Sequence, residues 1–238
     1  MKNYFIFLSC LILFLSCDTK NNESIKNTTK TPQKQGFTLQ GELQNGEASI
    51  IYLNKIIGNS LYQVDSCKIE NNKFAFQGIV EFPERFALTF DSYNFKTILI
   101  LENTSFNITI NLENVNDPII TNSPLNNQLL VYKNTAKEIF RKIDYLYPRF
   151  QKARLENDVQ KLEEIGTEMK SIEKEFQTFS FQFIEANKNS FIAPIILSDQ
   201  LKNSTIDTLN IQKSYQLLSN EVKHSPDAQL IALFLKLH

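Results

Sequence analysis

The apolar periodicity of the chain changes once, near residue 122, and this change limits the fold more than any other feature. Before it, apolar residues recur at every second position: Phe37 and Leu39, Phe74 and Phe76, Phe86, Leu88 and Phe90, Ile98 and Ile100, then Phe106, Ile108, Ile110 and Leu112. Period two places alternate side chains on opposite faces, the pattern of a half-buried strand. Asn45-Gly46, Gly58-Asn59, Asn71-Asn72, Asn103-Thr104 and Asp117-Pro118 supply turns between the runs. About seven or eight short strands at this spacing predict an antiparallel β-sandwich or small barrel over residues 37–122.

After the change the spacing becomes helical, so the fold class is α+β. Ser123-Pro124 opens a helix, with Ser as N-cap and Pro where its missing N–H costs nothing. Leu125, Leu129, Tyr132, Ala136, Ile139, Ile143, Leu146, Phe150 and Ala153 follow at 4-3 spacing, a coiled-coil seam. Pro148 is expected to kink this helix near Asp144. A second seam starts after the expected N-cap Asn157 and runs through Val159, Leu162, Ile165, Met169, Ile172, Phe176, Phe179, Phe183 and Ala186. Two such helices and a short loop predict a long antiparallel hairpin within a helical domain, 123–238. The Phe176, Phe179 and Phe183 spacing reads as core packing, with Phe181 off that face. Shorter helices are expected over 190–201 and 208–219, and a last one from Ser225-Pro226 with Leu230, Ile231, Phe234 and Leu235 inward.

The N-terminus carries a different signal. Lys2 precedes a twelve-residue apolar run, Tyr4 to Leu15. As a helix the run spans about 18 Å, too short for a hydrocarbon core of about 30 Å, and it has the length of a signal-peptide core. It ends at Phe14-Leu15-Ser16-Cys17, which resembles the bacterial lipobox, with Phe14 where Leu is usual. The expected organisation is a lipoprotein signal peptide at 1–16 and a lipidated Cys17 with a polar tether over 17–36, ahead of the folded part. Diacylglyceryl and N-acyl chains of the palmitate type would hold such a protein stably at a membrane. The expected location is the bacterial cell envelope, on the periplasmic or outer-membrane side.

Cysteine and histidine usage narrows the chemistry. Past the signal peptide only Cys17 and Cys67 remain, so no CxxC redox pair can form. Cys67 reads as a half-buried strand residue and His224 as a solvated loop residue; His238 is the other histidine. No zinc-ligand spacing, Walker loop, GxGxxG or GxSxG occurs. Glu163-Glu164 reads as a solvated helix face. Asp65 is the polar strand residue that merits inspection, with a local hydrogen bond as its expected role. The net charge of −1 gives no reason to expect nucleic-acid binding. The β region holds five basic against ten acidic residues, which disfavours an anionic partner there. No catalytic residue, cofactor or metal site is expected.

Several runs resemble a Bacteroidetes envelope family, the domain of unknown function 4369. They are Phe37-Thr-Leu-Gln-Gly41, Tyr52-Leu53, Val64-Asp65-Ser66, Asn72-Lys73-Phe74-Ala75-Phe76-Gln77-Gly78, Leu101-Glu102-Asn103, Ser123-Pro124-Leu125-Asn126 and Ser225-Pro226. Thr104 and Asp227-Ala228 depart from the family pattern. In that family the domain usually precedes a thioredoxin-like one, which this sequence lacks, so its dithiol chemistry does not carry over. The resemblance implies an accessory module of thioredoxin-like or AhpC-TSA-type envelope proteins. The leading expectation is a non-catalytic binding or scaffold lipoprotein. The alternatives are an accessory in trans to a thioredoxin-like thiol-disulfide oxidoreductase and a carboxylate-dependent hydrolase.

Overall fold

A computed structural model describes residues 36–58, 60–202 and 207–237. In chain order it contains β1 (Phe37–Gln44), β2 (Ile50–Ile57), β3 (Ser60–Lys68), β4 (Lys73–Gly78), β5 (Glu84–Phe90), β6 (Tyr93–Leu101), β7 (Ser105–Asn111) and β8 (Ile119–Thr121). Six helices follow: α1 (Pro124–Leu155), α2 (Val159–Ala186), α3 (Ile192–Gln200), α4 (Thr208–Leu217), α5 (Asn220–Lys223) and α6 (Pro226–Phe234). Cys17, the expected signal peptide, the expected tether up to residue 35 and His238 lie outside the described residues. No helix among the described residues is long and apolar enough to cross a membrane.

The strands form two four-stranded sheets, ordered β4-β1-β7-β8 and β3-β2-β5-β6. The architecture is thus a sandwich and not a closed barrel. Pairing is antiparallel except between β1 and β7, which run parallel from Thr38↔Ser105 to Gln44↔Asn111. The core lies between the sheets, with Leu39, Leu43, Ile108 and Ile110 meeting Ile51, Leu88, Leu99 and Leu101. Asn71 and Asn72 turn β3 into β4 with φ of 51° and 61°. Both φ values are positive, as a two-residue type I′ turn requires, and Glu70 and Lys73 exchange backbone bonds of 3.0 Å across it.

β6 departs from the alternation expected of it. Leu99 and Leu101 enter the sandwich core, while Ile100 points the other way into the helical core. A strand buried on both faces reads as a continuous apolar run, and Ile98-Leu99-Ile100-Leu101 is such a run. The helices therefore pack on the outer face of the second sheet, around Ile100.

The hairpin forms as its spacing predicts. Ile139, Leu146 and Ala153 of α1 pack on Ile165 and Ile172 of α2. Lys142–Glu175 and Arg149–Glu168 pair across it at 2.6 and 2.9 Å. Nearer the sheets, Tyr132 stacks on Phe179 at 5.3 Å and meets Phe183 at 5.1 Å, so these rings pack half-buried against the helical core. α1 continues through Pro148 as one helix of 32 residues.

Three local expectations are corrected. Asp158, not Asn157, caps α2, its carboxylate accepting from Lys161 N at 3.0 Å. Asn157 is the left-handed loop residue before it, φ 53°. At the ends of α2 the seam drifts: Val159 and Ala186 are exposed and Ile184 is fully buried. In α6, Ala228 and Ile231 face inward, while Leu230 is 52% and Phe234 43% exposed.

Candidate functional site

The residues singled out from sequence do not converge. Asp65 and Cys67 lie on edge strand β3, and His224 follows α5. Asp65 accepts a 2.7 Å bond from the Ser66 backbone N–H, the local role expected of it. Cys67 is half-buried against the sandwich core. Burial pushes its thiol above the ordinary value, away from thiolate reactivity. His224 is exposed, its Nδ1 2.6 Å from the Asn220 carbonyl. No group of three or more His, Cys, Asp or Glu among the described residues could hold a metal ion.

The polar side chains that do gather join the sheets to the helices. Asn126, in the first turn of α1, is 5% exposed. Its Oδ1 accepts from Ile100 N at 2.9 Å and its Nδ2 donates to Ile100 O at 2.7 Å. β6 is a sheet edge, so these are its outward-facing groups, and one amide side chain stands in for the missing strand. Asn103 does the same for Val80, accepting from its N–H at 2.9 Å and donating to its carbonyl at 2.7 Å. Between them, Glu102 Oε1 accepts from Ser123 Oγ and from Leu125 N at 3.0 Å. A carboxylate there satisfies free amides of the α1 N-terminus and complements its dipole.

Deeper along the junction, Arg85 of β5 makes a two-pronged ion pair with Asp199 of α3. It also donates to the Ile195 carbonyl at 3.3 Å. Burial would lower the Arg85 pKa, but the bonds and charge of Asp199 outweigh it and hold the guanidinium above its ordinary value. Ser198 Oγ lies 2.6 Å from Asp227 Oδ1 and 3.0 Å from the Ile195 carbonyl. Ser198 Oγ is the donor, with the Asp227 carboxyl and the Ile195 carbonyl as its two acceptors. Burial pushes the Asp227 carboxyl above its ordinary value, against the Ser198 bond and the Arg85 charge, which pull it down. Every buried side-chain nitrogen and oxygen among the described residues has a partner.

A glycine shows the same fit. Gly41 lies opposite Phe74 in the β1–β4 pair. A Cβ at Gly41 would come within 1.9 Å of the Phe74 ring, so the ring occupies the space that a side chain would need.

On the outside, a half-open groove of about 530 Å³ runs between α1 and the segment that forms β8. Ile98, Ile119, Leu129 and Leu130 form its apolar walls, and Lys133 and Lys137 stand on its rim. Nothing in the spacing of these residues marks a groove, because they come from three elements.

Residues 37–129 match the model of a family described as Domain of unknown function (DUF4369). No curated protein matches the chain. The matched span begins with β1 and ends three residues beyond Asn126. It therefore holds the whole sandwich and the first turns of α1 that seal its edge.

Proposed function

We propose that the chain is a lipoprotein tethered to the bacterial envelope through Cys17, acting as a non-catalytic binding or scaffold module. The observation that carries this reading is the use made of the resemblance motifs. Glu102-Asn103 and Ser123 to Asn126 are spent on closing a sheet edge and capping a helix. Gly41 and Phe74 are spent on each other. Side chains engaged in this way are occupied by the fold's own hydrogen bonds. The tether reading is supported by the apolar run that stops at Leu15-Ser16-Cys17.

A second reading is an accessory role toward a separate thioredoxin-like protein. It is favoured by α6, whose Leu230, Leu233 and Phe234 are 52, 75 and 43% exposed, an apolar face suited to a partner.

The test is crosslinking in intact cells, capture of the tagged full chain and mass spectrometry, with Cys17→Ala as control. Labelled palmitate should enter the native chain and not the variant. Capture of a thioredoxin-like protein that depends on Cys17 supports the second reading; capture of other envelope proteins supports the first. A chain that takes up no palmitate and stays off the membrane refutes both.

A further inference from the structure

We propose that the groove between α1 and β8 binds a single-chain anionic amphiphile, its head at Lys133 and Lys137 and its hydrocarbon chain along Ile98, Ile119, Leu129 and Leu130. The proposal rests on the binding-module reading and names a ligand class for it.

Size and lining come first. The groove, about 530 Å³, lies within the range of small-molecule sites, about 300–1,000 Å³. A protein partner would need about 800 Å² from each side, far more than this furrow offers. Ile119 and Leu130 on its walls are 65% and 51% exposed, so apolar surface is left open to water beside the inner wall of Ile98 and Leu129. A small inorganic anion would leave those walls wet, whereas a hydrocarbon chain covers them.

Charge selects the head group. Lys133 and Lys137 are four residues apart on α1, so they stand on one face and can reach the same anion. Further along the same helix, Lys142 and Arg149 are held by Glu175 and Glu168 across the hairpin. Lys133 and Lys137 make no ion pair among the described residues, and the one carboxylate of the lining, Asp117, accepts from the neutral Asn114 Nδ2 at 3.2 Å and keeps its charge. Two cations against one anion leave the lining with a net positive charge, supplied by the helix against the acidic balance of the β region. Lysine acts as a point charge, so a fatty carboxylate and an alkyl phosphate are the same chemistry here.

The test is photolabelling of the full chain in non-ionic detergent. The probes are a 16-carbon fatty acid bearing a diazirine, the matching alkyl phosphate and the matching alcohol, with label located by peptide mass spectrometry. Expected is label concentrated on peptides covering 116–122 and 129–137 with both anionic probes. It should fall about tenfold with the alcohol, the effect of one lost charge-assisted contact, and by at least that much with K133E/K137E, which removes both cations and adds repulsion. Leu130→Gln, a half-exposed position that folding tolerates, should weaken labelling by all probes. Label from one anion only would narrow the head group while upholding the site. Label spread over other apolar surfaces, or equal from acid and alcohol, overturns the proposal. An unlabelled groove in a chain that still captures envelope proteins removes the ligand and leaves the module reading standing. A labelled groove without palmitate uptake or membrane association upholds the ligand site and removes the envelope tether.

Discussion

Replacing Asn126 with alanine removes the device that closes the β6 edge. The Ile100 N–H and C=O, in a residue with no exposed surface, would lose their partners together. An orphaned buried polar group costs about 1–3 kcal/mol, so the pair costs about 2–6 kcal/mol. The third contact, from Asn126 Nδ2 to Ser123 Oγ at 2.7 Å, adds little because Ser123 retains Glu102. A loss of about 4 kcal/mol is a large share of a total stability of about 5–15 kcal/mol. The assay is urea unfolding of the full chain by far-UV circular dichroism, with tyrosine emission as the second probe because the sequence has no tryptophan. Asn134→Ala, an exposed position on the same helix, should change stability by less than about 0.5 kcal/mol. Asn126→Asp should cost at least as much as alanine, since it turns a carboxylate toward the Ile100 carbonyl. An Asn126→Ala variant within about 1 kcal/mol of the native chain would refute the assignment of a sealing role to this side chain.

Three further outcomes are expected. Asp227 binds its proton more tightly when folded, so above the ordinary value of 3.8 the native state holds protons that the unfolded chain has released. Its contribution to stability, present below that pH, is lost as pH rises through the folded value; Asp227→Asn should flatten this fall in melting temperature, and superimposable profiles would count against it. Arg85→Ala should destabilise by about 1–2 kcal/mol in urea, less than a fully buried pair, because the Asp199 side chain is 35% exposed; no measurable loss would mean the pair contributes nothing to docking. The Cys67 thiol, raised by burial, should react with iodoacetamide more slowly in the folded chain than after unfolding in urea, and equal rates would show that the β3 edge opens freely.

Much of the fold was legible because it is written in local spacing. The alternation of Phe106, Ile108 and Ile110 and the seam from Leu125 to Ala153 each repeat a period that only one element can satisfy. The errors fall where burial is two-sided or stops. Ile100 belongs to a strand covered on both faces, so alternation there carries no inside-outside information. Val159 sits at the hairpin end, where the opposing helix no longer covers the seam. The junction was illegible for another reason. Arg85 and Asp199 are 114 residues apart, and nothing in a one-dimensional pattern marks their meeting. Its one trace was Asp227, an unexpected residue after Ser225-Pro226, which proves to bond with Ser198 of α3. Glu102 and Asn126, noted only for their resemblance, acquired a physical meaning once the Ile100 edge and the α1 N-terminus were seen beside them.

The parallel pairing of β1 with β7 also governs the order in which the molecule can assemble. β1 is the first strand among the described residues, yet its parallel neighbour begins at Ser105, more than sixty residues later. The β1–β4 pair closes earlier, but alone it leaves β1 with a bare edge and Leu39 and Leu43 uncovered. Joining ends so far apart carries a loop-closure cost before any contact repays it, so the sandwich should fold slowly and late. A ribosome that has released residues up to β6 has made most of the sheet sequence but only one of the first sheet's two central strands. The β6 edge waits longer still, for Asn126. Nascent chains of intermediate length therefore expose two unpaired edges at once, and a chaperone that shields them would act most strongly in the interval between β4 and the start of α1.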